Sequence, residues 1–136
     1  MIYVTKAVEF SATHRLYNPD FDDRTNQTVF GKCNNPNGHG HNYRLEVAVR
    51  GGIDSKTGMA FDLGKLRQIL EEEILTRFDH KNLNLDVSEM KGLVPTAENI
   101  AAVIWKIVAK RIGAEMLHRV RLFETQNNFV EFLGEK

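Results

Sequence analysis

The chain has 136 residues, 42% apolar and 26% charged, which suits one folded domain over 1–136 and excludes a disordered chain. Its 18 basic residues are balanced by 18 acidic ones, so charge makes no case for nucleic acid or an anionic membrane surface as partner. A single cysteine cannot form an internal disulfide, the N-terminus alternates from its second residue, and no apolar run approaches the roughly 20 residues that cross a bilayer, so a cytoplasmic protein is expected.

Residues 2–14 alternate, with Ile2, Val4, Val8, Phe10 and Ala12 on one face and His14 at its end. Lys6 interrupts that face and is expected at a bulge or an edge. Residues 15–38 follow neither helix nor strand period, and connections of that length are usually disordered or functional. Alternation returns over 41–49, where Tyr43, Leu45, Val47 and Val49 share the side that His41 begins. His39 joins that side if the strand reaches back so far. Gly51-Gly52 ends the pattern and Lys56-Thr57-Gly58 reads as a turn.

From Asp62 the period becomes helical: Leu63, Leu66, Leu70 and Ile74 form a stripe supported by Ile69, closing near Phe78. Pro95-Thr96 announces a second helix, with Thr96 as N-cap and Glu98 in the first turn. Its apolar face comprises Ile100, Val103, Ile104, Ile107 and Val108, and Gly113 is its stop. Strands near 118–125 and 128–133 follow, joined by a turn at Gln126-Asn127-Asn128. The chain is therefore α+β, in the order strand, strand, helix, helix, strand, strand.

The chemistry-bearing residues gather where the first two strands meet the aperiodic segment. His39 and His41 can point the same way, because strand side chains repeat every second residue. His14 meets them if the two strands pair antiparallel. Three imidazoles and one open position are the pattern of catalytic zinc, whereas structural zinc fills all four. Cys33, six residues before His39 in a loop rich in asparagine, is open to two readings. It is either a fourth ligand or a thiol beside the metal that acts as a base once a metal or a histidine activates it. Asp79-His80 is a carboxylate beside an imidazole and a candidate partner for Cys33, although Asp79 taken alone reads more readily as a C-terminal cap or a solvated turn. Glu124 continues the apolar face of Val120 and Leu122. It is either an edge residue open to solvent or an acid that binds a ligand with adjacent N–H groups. His118 matches no pattern and only decorates a strand.

The stretches EFSATHRL (9–16), FGKCNNPNGHGHNY (30–43), DHKNL (79–83), PTAENIA (95–101) and ETQNN (124–128) resemble, in order and spacing, the 6-pyruvoyl-tetrahydropterin synthase family. The resemblance spans nearly the whole chain and implies the tunnelling fold. That fold has a four-stranded antiparallel sheet with two helices on one face; three copies close into a β-barrel and two trimers stack into a hexamer. It implies zinc on His14, His39 and His41, with Cys33 as proton acceptor rather than ligand. It implies that Asp79 and His80 assist from across a subunit boundary. Glu124 would anchor a pterin ring, with Thr96 and Glu98 close to the pocket, and Ala97 stands where the family usually has a hydroxyl. The implied reaction converts 7,8-dihydroneopterin triphosphate to 6-pyruvoyl-tetrahydropterin with loss of triphosphate, magnesium accompanying the triphosphate. Arg15, Lys32 and Arg44 are the expected phosphate contacts. The sister activity, 6-carboxy-tetrahydropterin synthase of queuosine biosynthesis, uses the same substrate. The six-residue step from Cys33 to His39 favours the pyruvoyl branch. A non-catalytic module with a structural Cys-His₃ zinc is the remaining reading.

Overall fold

The computed structural model describes residues 1–135. Strand β1 (Ile2–His14) pairs antiparallel with β2 (His39–Gly51), which pairs with β4 (Leu117–Phe123), which pairs with β5 (Phe129–Phe132). The four expected strands are joined by a fifth, the two-residue β3 (Lys81–Asn82), which runs parallel to the end of β1 and makes the sheet order β3-β1-β2-β4-β5. Two residues are too few to show alternation, which is why β3 has no signature in the sequence.

Alternation puts Phe10 and Ala12 of β1, Tyr43, Leu45, Val47 and Val49 of β2, and Leu117, Val120 and Leu122 of β4 into one apolar core. Two helical segments cover it. The first starts at Asp62, whose carboxylate accepts from the Gly64 and Lys65 amides. It runs as α2 (Leu63–Leu70), then a π-turn (Glu71–Leu75), then a last turn (Thr76–Phe78), burying Leu66, Leu70, Ile74 and Phe78. The second, α3 (Ala97–Ile112), is capped by the Thr96 hydroxyl and ends at Gly113, whose φ of 90° suits a residue without a Cβ. Arg111 of α3 binds Glu72 and Glu73 at 3.1 and 2.8 Å, tying the two helices together at the surface.

One expectation is corrected and one is narrowed. Residues 15–38 are not structureless: they contain α1 (Asp23–Phe30) and a 3₁₀ turn (Gly31–Asn34). This segment is held by amides instead of an apolar stripe. Buried Asn26 accepts from the Asn18 amide (2.8 Å) and donates to the Asn18 carbonyl (3.0 Å), and Asp22 caps the helix through Thr25. No period betrays such a helix. Of the two readings of Lys6 the edge holds, since β3 covers β1 only at Ala12 and Thr13. The bulge is excluded, since the β1–β2 ladder runs unbroken from Ile2↔Gly51 to His14↔His39 with Lys6 opposite Val47. The irregularity lies instead between β2 and β4, at Ala48/Val49, beside His118. His118 sits on β4 and stacks on Tyr3 at 4.0 Å.

Ile104 is fully buried at the centre of α3. Ile104→Ala should lower the unfolding free energy by about 2–5 kcal/mol, read from the midpoint of a urea denaturation curve.

Candidate active site

The β1–β2 register builds the centre. His14 lies opposite His39, and His41 opposite Ala12, so all three imidazoles stand on the core face at its open end. Their ring centroids are 4.6, 5.2 and 4.8 Å apart and the rings meet at steep angles. The turn before His39 is shaped by Gly38, at φ 73°, whose amide donates to the Asn35 carbonyl. A Cβ at Gly38 would stand 3.0 Å from the carbonyl oxygen of His14.

The nitrogens leave little choice of tautomer. His14 Nδ1 is 2.8 Å from the Pro95 carbonyl, an oxygen that only accepts, so Nδ1 carries the proton and Nε2 bears the lone pair. That Nε2 faces His39 Nε2 at 3.0 Å. His41 Nε2 is buried without a hydrogen-bond partner, and its nearest acid, Glu124 Oε1, is 3.6 Å away, too far for a hydrogen bond. A ligand atom from each of the three histidines lies within 4.8 Å of the others. Two nitrogens bound tetrahedrally at 2.0–2.1 Å from one zinc would be about 3.3 Å apart. The trio could therefore hold a metal ion. A cation between the rings would take the place of the proton that His39 Nε2 shares with His14 Nε2 and give the orphaned His41 nitrogen a partner.

Tyr43 backs the cluster. Its hydroxyl is 3.3 Å from His14 Nδ1, its ring stacks on Phe10, and burial, with Glu124 and Cys33 adding to it, pushes its ionisation well above the phenol range. Burial also holds His14 and His41 below the ordinary imidazole value; for His14 the Pro95 carbonyl opposes this and His39 adds to it, while for His41 Glu124 opposes.

Cys33 stands in the 3₁₀ turn, half-buried, and does not belong to the cluster of atoms that could hold a metal, which comprises only the histidines among the described residues. Its carbonyl accepts from the Leu16 amide at 2.8 Å, which keeps the turn beside the end of β1.

Asp79 and His80 grip β1 from its outer edge. Asp79 Oδ1 accepts from the Ser11 amide (2.9 Å), Oδ2 lies 3.0 Å from His80 Nδ1, and the His80 amide donates to the Ser11 carbonyl (2.6 Å). The Ser11 amide, aided by His80 and opposed by burial, holds the Asp79 carboxyl below its usual range. His80 adopts φ 62° and its side chain is 82% exposed, so the imidazole faces outward. It opens on a groove of about 530 Å³ that Ser11, Thr13, Asn42, Lys81 and Asp86 also line. Among the described residues, no hydrogen bond or ion pair joins this dyad to Cys33 of the same chain.

Glu124 lies just past β4, half-buried, with Ala97, Glu98, Asn128, Phe129 and Val130 around a hollow of about 170 Å³. The Thr96 hydroxyl is already engaged as cap, accepting from the Asn99 amide at 3.2 Å. Of the expected phosphate contacts, Arg44 pairs with Glu46 at 3.2 Å, Lys32 is exposed, and Arg15 is bonded to Asn34. Sequence reasoning missed the Pro95 carbonyl and the Tyr43 hydroxyl as partners of His14. Pro95 acts through its main chain, which leaves no residue-type signal. Tyr43 is the one polar tip between the histidines and the apolar residues on the alternating face of β2 and was legible as such.

A family profile described as 6-pyruvoyl tetrahydropterin synthase matches residues 3–135. The chain belongs to that family. It is 46% identical over 132 residues to the human 6-pyruvoyl tetrahydrobiopterin synthase, covering 97% of this chain and 91% of that one. It is 30% identical over 149 aligned residues to the 6-carboxy-5,6,7,8-tetrahydropterin synthase of Rickettsia conorii, covering 96% and 99%. The structure of the Caenorhabditis elegans 6-pyruvoyl tetrahydropterin synthase superposes with a TM-score of 0.93 at 37% identity, over 98% of this chain and 96% of that one. The chain thus has the tunnelling fold.

The depressed histidines carry a sign. In the metal-free protein the unfolded chain takes up protons as pH falls below 6.5, while buried His14 and His41 resist protonation. Stability from this source is present above that pH and lost below it. Metal-free protein should melt lower at about pH 5.5 than at about pH 7.5 by scanning calorimetry, and a level or rising Tm would contradict the burial of these rings.

Proposed function

We propose that the protein converts 7,8-dihydroneopterin triphosphate to 6-pyruvoyl-tetrahydropterin with elimination of triphosphate, a carbon–oxygen lyase reaction. The observation that carries this is the trio of histidines with an unpartnered His41 nitrogen, bordered by the Glu124 carboxylate and by the turn bearing Cys33. The greater identity with the pyruvoyl enzyme than with the carboxy enzyme, 46% against 30%, supports the choice of product.

His14, His39 and His41 would hold Zn²⁺, which when bound supplies Lewis-acid polarisation of substrate hydroxyls. Glu124 accepts two adjacent N–H groups of the pterin ring and fixes its orientation, with Glu98 at the rim of the same hollow and Thr96 holding the helix start beneath it. The Cys33 thiolate takes a proton from a side-chain carbon of the substrate. His80 relays protons to and from the substrate, steered by Asp79, whose carboxylate stays ionised because the Ser11 amide binds it. Oxidation of the side chain and reduction of the ring balance internally, so no external redox partner is consumed.

The dyad's outward aim supports a site completed by another subunit. So do the sheet's edges: β3 covers only Ala12 and Thr13 of the outer edge of β1, and β5 is the opposite edge. Copies joined edge to edge would close a ring of three, and two rings a hexamer.

Two experiments test these assignments. Incubation with 7,8-dihydroneopterin triphosphate should yield the pyruvoyl product; a carboxy product with acetaldehyde would assign the chain to the activity of its Rickettsia conorii relative. Cys33→Ala should keep its metal and its fold but lose about 10²–10⁴-fold in kcat. If metal content dropped with the thiol, Cys33 would be a ligand.

A further inference from the structure

We propose that Arg15 is a positioning residue for Cys33, locking the cysteine's turn onto the strand end that carries His14, and is not a contact for the substrate's phosphates. The inference rests on the reading of Cys33 as the base. Arg15 directly follows His14, and both its main chain and its side chain are committed. Its amide donates to Asn84 Oδ1 (2.7 Å), and Asn84 Nδ2 donates back to its carbonyl (2.9 Å). This side-chain amide imitates a strand partner and prolongs the β1–β3 ladder past its last residue pair, where the Leu83 amide binds the Thr13 carbonyl.

The side chain reaches to the other partner. Nε donates to the Asn34 carbonyl (2.9 Å) and Nη2 to Asn34 Oδ1 (3.1 Å), while the guanidinium lies 4.1 Å over the Tyr17 ring. Asn34 is buried and adjoins Cys33, whose own carbonyl is held by the Leu16 amide. Residues 15 and 16 therefore bind the peptide groups of residues 33 and 34, and the thiol's distance from the histidines is set by this cross-link. A guanidinium whose Nε–Nη2 edge is bound to two Asn34 oxygens and whose face lies on Tyr17 has its orientation fixed by the protein, with only the Nη1 side left for any other partner. Lysine offers the charge but no planar fork, so charge and geometry can be separated.

The test compares wild type, Arg15→Lys, Arg15→Met and Asn34→Ala in the intact, metal-loaded protein. Three quantities are read: kcat and KM with 7,8-dihydroneopterin triphosphate, bound metal, and the rate at which iodoacetamide alkylates the chain's sole cysteine. Both Arg15 variants should lose about 10²-fold in kcat, as a misplaced catalytic group does. Their KM should stay within about threefold, since substrate binding is untouched. Metal should remain at the wild-type level and alkylation should quicken severalfold as the turn comes loose. Asn34→Ala should move kcat and alkylation in the same directions by less. Arg15→Lys restoring kcat, or a raised KM with kcat kept, would overturn the proposal in favour of a phosphate contact. Metal loss in step with kcat would overturn it in favour of support for His14. If neither Arg15 variant folds, unchanged kcat and alkylation in Asn34→Ala overturn it. Should the wild type fail to consume the substrate, the proposed function falls, and the alkylation rates still decide the role of Arg15.

Discussion

The ladder between β1 and β2 is the constraint on which the rest depends. Its register places His14 across from His39 and little Ala12 across from His41, and the same face continues as Phe10 over Tyr43 and Val8 beside Leu45. A slip of β2 by one residue would turn His39 and His41 away from His14 together with the strand's apolar residues. Core packing and site geometry are therefore one decision: burying Leu45, Val47 and Val49 obliges the imidazoles to converge. The helix start completes the arrangement, because the Pro95 carbonyl that fixes the His14 tautomer belongs to the residue before the cap of α3.

Around that ladder the polar chemistry is divided by side. The histidines, Tyr43 and Glu124 belong to the covered face, whereas Asp79 and His80 hang from the outer edge of β1 and look away from it. Each half of the apparatus is rigidly held, one by the sheet's register and the other by both main-chain groups of Ser11. The proposed division of labour follows from this layout: the three histidines converge within one chain, while the imidazole of His80 is turned away from them.

Much of this was legible because it repeats. Alternation revealed β1, β2 and the shared face of the histidines, and the helical stripes gave α2 and α3 with Thr96 and Gly113 at the ends of the latter. What escaped was held by local amide chemistry. Asn26 buries itself against Asn18 without an apolar stripe, and Asn84 substitutes for a strand. Single asparagines look alike in a sequence whether they cap, bridge or face water, so neither α1 nor the prolonged β1–β3 ladder could be anticipated. Cys33 was ambiguous for a related reason: spacing sets a reach, and only the 3₁₀ turn and its bonds to residue 16 set a position.

His80 carries two duties in one residue. In the proposed reaction it supplies an imidazole, and in the fold it holds the left-handed backbone, φ 62°, that turns the chain from the end of the helix at Phe78 into β3. Residues with a Cβ pay for that conformation, except that asparagine adopts it comparatively readily. Replacement by alanine would thus disturb the turn as well as remove the ring, whereas asparagine would remove the ring and spare the turn. The conformation narrows what evolution can place here, since a β-branched side chain of any chemistry would be at odds with the backbone before its reactivity came into play.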